Sequence, residues 1–230
     1  GSWNYERMLG IGVGVAQEPL LRGLPPGGNG EAYRAAVARG AHFFNAHPYL
    51  CGMAVGAAAR AGHDGVPPAQ VERLRTALCG PLGSLGDRLV WAGWLPLNSG
   101  LALAGIALGL GWGAVVGFLV LYNVGHVSLR WWALRAGWTY GLRVADALRH
   151  PFLRRAGAFL APAMAVATGA ALPMAAGYLG NPFPGWARLV LVGVVGIGVL
   201  LLQWRRLGLT GLRLGLGFAA IGLVVGWVWR

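Results

Sequence analysis

The sequence predicts an all-α integral membrane protein: amphipathic or interfacial N-terminal helices, broken or re-entrant hairpins, and about four further transmembrane helices. Three observations carry this. Of 230 residues, 56% are hydrophobic and only 11% are charged, against about 25% charged in a soluble domain. Uncharged runs of membrane-crossing length recur, above all from Leu89 to Leu129. The basic residues, all 19 of them arginine, sit at the ends of apolar segments and often beside tryptophan, as at a bilayer interface.

Residues 1–40 read as a cytoplasmic or interfacial helical region, with a Pro/Gly loop at 24–30. From Glu31 to Asn45, Tyr33, Val37, Ala41 and Phe44 recur at helical spacing, leaving Arg34, His42 and Asn45 on another face. Residues 41–129 are expected to hold a re-entrant core and then the first full span. Pro48 breaks the apolar run 40–59, and 60–75 reads as a charged loop. Thr76–Gly86 is too short to span, so the glycines of 80–86 read as the turn of a re-entrant hairpin. Pro96–Gly100 interrupts the next run and leaves Leu101–Leu129 as a span, tilted or kinked near Gly109–Gly113. In 130–155, Arg130, Arg135, Arg143, Arg149, Arg154 and Arg155 alternate with Trp131, Trp132, Trp138 and Tyr140, predicting an interfacial segment on the cytoplasmic face. Residues 156–230 supply three more apolar segments: 156–179, 189–204 and 214–229. Arginine counts place 130–155 and 205–213 inside and Arg230 outside. Gly105, Gly109, Gly113 and Gly117, spaced by four, predict a small-residue helix face that needs a partner.

Several function classes are excluded. A net charge of +12 would also suit nucleic acid, but the arginines do not line one soluble face, so no nucleic-acid partner is expected. Cys51 and Cys79 lie in apolar stretches with neither metal nor disulfide spacing. His42 and His47 are five apart, wrong for one helical face, with no carboxylate between them; no metal and no cofactor are expected. The segment 80–87 lacks the Gly-Lys-Ser/Thr ending of a phosphate loop, and Ser84 lacks the glycine pattern of a nucleophile elbow. No catalytic residue is assigned. Glu6 and Arg7 precede any apolar run, so no cleavable signal peptide is expected.

Against this apolar background stand three short polar words: Gly1–Met8 (GSWNYERM), His42–Leu50 (HFFNAHPYL) and Gly80–Asp87 (GPLGSLGD). Polar groups in membrane-compatible sequence mark pathways and binding sites. Trp3, Asn4, Tyr5 and Glu6 combine planar polar groups for hydroxyls with aromatic faces for a sugar ring; they equally suit a helix start with a Glu6–Arg7 surface pair. Asn45 and His47 precede Pro48, which withholds an amide from a carbonyl one turn earlier. Amide, imidazole and freed carbonyls would make a polyol site, or the two side chains only satisfy those carbonyls. Asp87 is expected to be a buried carboxylate, with Arg88 its nearest partner and Trp91 one helical turn away.

The three words in this order, followed by Trp91, resemble the enzyme IID membrane subunit of the mannose/fructose/sorbose family of bacterial sugar phosphotransferase systems. The distinctive part covers residues 1–95, and the rest fits in kind. The resemblance implies a multi-pass protein of the bacterial inner membrane that works with a IIC membrane subunit. Together they would bind and carry a mannose-type hexose, which cytoplasmic IIB, served by IIA, phosphorylates. The chain itself would be non-catalytic. Substrate binding would fall to Trp3, Asn4, Glu6, Asn45, His47, Asp87 and Trp91. No leading segment precedes the first word, which implies truncation. Three further departures are visible: Arg88 where the family has proline, only a short loop at 180–188, and final apolar segments, 189–204 and 214–229, of only 16 residues each. They suit an alternative, a non-transporting remnant acting as membrane receptor, regulator or scaffold.

Overall fold

A computed structural model of the chain describes residues 3–24, 30–180, 213, 215–217, 219–221 and 224. The expected segment 189–204, nearly all of 205–213, most of 214–229, and Arg230 lie outside the described residues, as does the 25–29 part of the first loop. Every regular element among the described residues is helical. The chain divides into two compact units, 1–88 with 125–154 and 89–124 with 155–230.

The first unit is built on α3 (Cys51–His63), whose run Met53–Ala59 is buried throughout. Around it lie α1 (Gly10–Leu21), α2 (Glu31–Gly40), α4 (Pro68–Gly86) and the C-terminal part of α6 (Trp112–Tyr140). A 3₁₀ turn at Gly141–Arg143 and α7 (Val144–Leu148) follow α6. The core joins Phe44, Leu50, Met53, Leu78, Leu82, Ala133 and Val144. Small residues let α3 and α6 meet backbone to backbone. A Cβ on Gly56 would lie 2.5 Å from the Leu134 carbonyl oxygen, and one on Gly137 would lie 2.2 Å from that of Met53.

Helix ends follow from local chemistry. After α3, Val66 N–H reaches Ala61 O and Gly65 N–H reaches Gly62 O, with Gly65 at φ +70; this is a glycine-terminated Schellman end. Pro68 then opens α4 at a position where its missing N–H costs nothing. The expected charged loop 60–75 therefore shrinks to four residues, 64–67. The expected helix 31–45 stops at Gly40, where the Arg75 guanidinium takes the last carbonyls, Arg39 O and, at 2.9 Å, Gly40 O.

The re-entrant hairpin is not formed. α4 runs through Gly80 and Gly83, passes without a break into a π-helical stretch at Asp87–Trp94, and continues as α5 (Leu95–Ala107). Pro96 stands in the first turn of α5 rather than interrupting it. The break comes later. Gly109 has φ +89, with Leu110 N–H to Gly105 O and Gly109 N–H to Ile106 O, another Schellman end, so the expected span 101–129 is two helices. Among the described residues, two helical runs, Pro68–Ala107 and Trp112–Leu148, are long and apolar enough to cross a membrane. The spaced-by-four glycines share no single face: Gly105 meets Ala114, Gly109 sits in the break, and a Cβ on Gly113 or Gly117 would meet nothing within 4 Å.

In the second unit α5 and α8 (Pro151–Gly180) run parallel, since Gly157 approaches Leu89, Gly100 approaches Ala167, and Ala107 packs with Met174. Polar groups inside α5 are met by its own helix: Asn98 Nδ2 donates to Trp94 O at 2.7 Å and Ser99 Oγ to Leu95 O at 3.0 Å.

α1 and α2 are tied through Glu18, which accepts from Arg22 Nε at 2.9 Å and from the Tyr33 hydroxyl. Chiefly the Arg22 bond, then that of Tyr33, holds the Glu18 carboxyl below its ordinary value of 4.5. A carboxyl depressed in the folded state contributes stability that is present above its unfolded pKa and lost as pH falls through the folded one. Glu18→Gln should accordingly lower thermal stability slightly at neutral pH and leave it nearly unchanged well below pH about 4.5, so that the acid limb of the profile flattens.

Candidate functional site

The first two polar words are joined through the backbone. Asn4 closes a turn: its Oδ1 accepts from Arg7 N–H at 2.8 Å, and Met8 N–H donates to Asn4 O at 2.8 Å. Met8 is held at φ +50, the left-handed region that non-glycine residues rarely occupy. The reversal brings Leu9 N–H to Phe44 O at 2.9 Å and Phe44 N–H to Arg7 O at 3.2 Å. Phe44 is wholly buried, and the Arg75 guanidinium lies 5.7 Å from its ring centre.

His47, in the second word, precedes α3 by four residues. Its carbonyl accepts from Leu50 and Cys51 N–H, and its Nδ1 accepts from Tyr49 N–H at 3.2 Å. Accepting at Nδ1 leaves the proton of a neutral ring on Nε2. Burial lowers the His47 pKa below 6.5, with the charge of Asp87 opposing and that of Arg130 reinforcing the shift. Pro48 sits before α3, not inside a helix, so the carbonyls it was expected to free one turn earlier are not those of a helical turn; the His47 ring serves the backbone as an acceptor instead.

The third word meets the second at Gly86. A Cβ there would fall 2.2 Å from His47 Cβ and 2.3 Å from Cγ. The glycine is the notch into which His47 fits.

Of the expected binding residues, His47 is buried and central. Asp87 follows the notch, and its charge reaches His47. Asn4 is half-buried with its oxygen committed to the turn. Trp3, Glu6 and Asn45 are exposed, Trp3 edge-on to Tyr5 at 4.9 Å between ring centres. Trp91 is exposed and belongs to the second unit. The expected Asp87–Arg88 pair is absent: both side chains are exposed and no ion pair joins them among the described residues. Adjacent residues on a helix point about 100° apart, so neighbours in sequence are poor partners there.

Sequence reasoning missed four residues. Tyr49 is packed edge-on by His47 at 5.1 Å, stacked by His126 at 4.4 Å, and has the Arg130 guanidinium 4.8 Å from its ring centre. His126 and Arg130 are four apart on α6, a spacing legible in the sequence; their meeting with Tyr49 is a long-range contact with no local signal. Arg75, read as a loop charge, is buried. The ensemble of imidazole, carboxylate, guanidinium and aromatic ring suits hydrogen bonding to a neutral hydroxylated ligand.

The family model for the "PTS system mannose/fructose/sorbose family IID component" matches residues 1–168. The chain is similar to the mannose-specific EIID component of Escherichia coli K12, 29% identical over 163 residues, which is 67% of this chain and 56% of that protein. It is also similar to the sorbose-specific EIID component of Klebsiella pneumoniae, 31% identical over 63% of this chain and 54% of that protein, and to the fructose permease IID component of Bacillus subtilis, 28% identical over 64% and 54%. The chain thus spans a little over half the length of these relatives. A chain of the cryo-EM structure of the mannose transporter ManYZ with microcin E492 (MceA) has the same fold, with a TM-score of 0.52 over all of this chain and 91% of that one at 21% identity. With the three polar words inside the matched region, the chain belongs to the mannose/fructose/sorbose family of phosphotransferase-system IID components.

Proposed function

We propose that the chain acts as the IID subunit of a sugar transporter: with a IIC partner it forms a translocation unit for a mannose-type hexose that IIB, served by IIA, phosphorylates on the cytoplasmic side. The observation that carries this is the convergence of the three polar words on Phe44, His47 and Gly86. Residues that surround His47 bind the sugar, Asp87 foremost, and Arg130 joins the expected set. The protein is multi-pass in the inner membrane. Pro68–Ala107 crosses outward, α6 returns and α8 crosses outward again, which puts the N-terminal helices and the 130–155 arginines together on the cytoplasmic side, as their charge favours.

Orientation is tested by single cysteines in a Cys51/Cys79-free background. Cysteine at the exposed Ala145 should resist an impermeant maleimide in intact cells, and cysteine at Leu110 should label; the reverse pattern overturns the topology. Binding is tested by co-expression with IIC and measurement of radiolabelled hexose on the purified pair. No ion pair joins Asp87 to Arg88 among the described residues, so Asp87→Asn should leave assembly intact and cut uptake at least tenfold, about 1.4 kcal/mol. Uptake within twofold of wild type sinks the role of Asp87, and a pair that binds no sugar points to the receptor, regulator or scaffold reading.

A further inference from the structure

The elbow that leads from the end of α6 to the start of α8 is amphipathic in an unusual sense. Gly141, Val144, Ala147 and Leu153 form its buried stripe. Its outer surface is not simply polar: Leu142 is 39% exposed and Phe152 is 61% exposed, set among the exposed guanidiniums of Arg143, Arg149 and Arg154. Asp146 is the one carboxylate between 130 and 154, and no ion pair joins it to these arginines among the described residues. Further back on α6, Trp131 is 61% exposed with the Arg135 guanidinium 4.6 Å from its ring centre.

Phe152 is held outward by its surroundings. His150 Nδ1 accepts from Phe152 N–H at 3.2 Å, capping the first turn of α8, and Pro151 pre-sets that turn. Water does not reward a large aromatic presented this way, and a purely ionic partner gives it nothing to bury. A headgroup layer does both, with acyl chain ends beneath phosphate groups. The exclusive use of arginine fits as well, because a guanidinium grips phosphate oxygens in a bidentate fork that an ammonium cannot match.

We infer that this elbow is a binding site for anionic phospholipid, with Arg143, Arg149 and Arg154 on the headgroup phosphates and Phe152 and Leu142 in the acyl boundary. The site is independent of sugar recognition and gives the chain a preference for anionic lipid.

The test uses the full chain purified in mild detergent and titrated separately with phosphatidylglycerol and phosphatidylcholine, with retained lipid counted by native mass spectrometry. Phosphatidylglycerol should be retained at least tenfold better, since each of the three arginines near an anionic surface is worth roughly fivefold. Arg143→Gln/Arg149→Gln should remove that preference, and Phe152→Ser, which keeps every charge, should weaken it severalfold. Arg34→Gln/Arg73→Gln, an equal loss of exposed charge elsewhere in the same unit, should leave it intact. Equal retention of the two lipids, or equal loss in both double variants, overturns the site. Displacement of the lipid by inorganic phosphate would reassign it to a free phosphate compound, and displacement by polyglutamate to an acidic protein; either overturns it.

Discussion

Gly86→Ala is expected to destabilise the chain severely, and with it to abolish the hexose uptake proposed above, although Ala is the better helix former by about 1 kcal/mol. The added Cβ would sit 2.2 Å from His47 Cβ, a distance that no rotamer change of His47 relieves because both atoms are fixed to backbone. Either α4 withdraws from the loop or the loop loses the position in which the His47 carbonyl accepts the N–H of Cys51 at the start of α3. Overpacking of this kind costs about 1–3 kcal/mol or more, and α3 is the centre of the unit. The decisive variant is Gly86→Ala with His47→Gly. Removing the opposing Cβ should restore expression and thermal stability in detergent, but uptake should stay low because the imidazole is gone. Recovery of both would show that His47 only fills space. Recovery of neither would show that the clash is not the cause.

Arg75→Leu should be the next most damaging change. Arg75 is 4% exposed and its guanidinium takes the final carbonyls of α2 while lying over Phe44. A leucine leaves two carbonyls without their donor, at about 1–3 kcal/mol each where they are buried, and loosens the ring whose backbone joins the first two words. Arg75→Lys keeps the charge but not the fork, so it should recover only part of the lost thermal stability. Wild-type melting in Arg75→Leu would refute this account.

The membrane character and the three words were legible in the sequence because hydropathy and residue chemistry are local. The helix boundaries were less so. Gly80, Gly83 and Gly86 read as a turn, since glycine usually breaks helices, yet at Gly86 the missing side chain serves contact with His47, and tertiary packing outweighs the propensity cost. Gly109 was read as a kink when its left-handed φ makes it a terminus. Arg75 looked like one more loop charge because nothing local announces that α2 will end against it. The place of Tyr49 between His126 and Arg130 depends on two segments nearly eighty residues apart along the chain, and a single sequence carries no trace of such a meeting.

The division of charge between the two units has an electrical consequence. All seven carboxylates fall in the first unit, and residues 89–124 of the second carry no Asp, Glu, Lys or Arg. An elementary charge displaced through a bilayer exchanges about 2.3 kcal/mol with a 100 mV potential, but α5 and the first half of α6 have none to displace. Rocking or sliding of those helices through the low-dielectric layer is therefore invisible to the membrane voltage. Current recorded across a bilayer holding the protein should show no gating charge from them, and under the proposed transport function a neutral sugar moving alongside them would cross without drawing on the cell's electrical gradient.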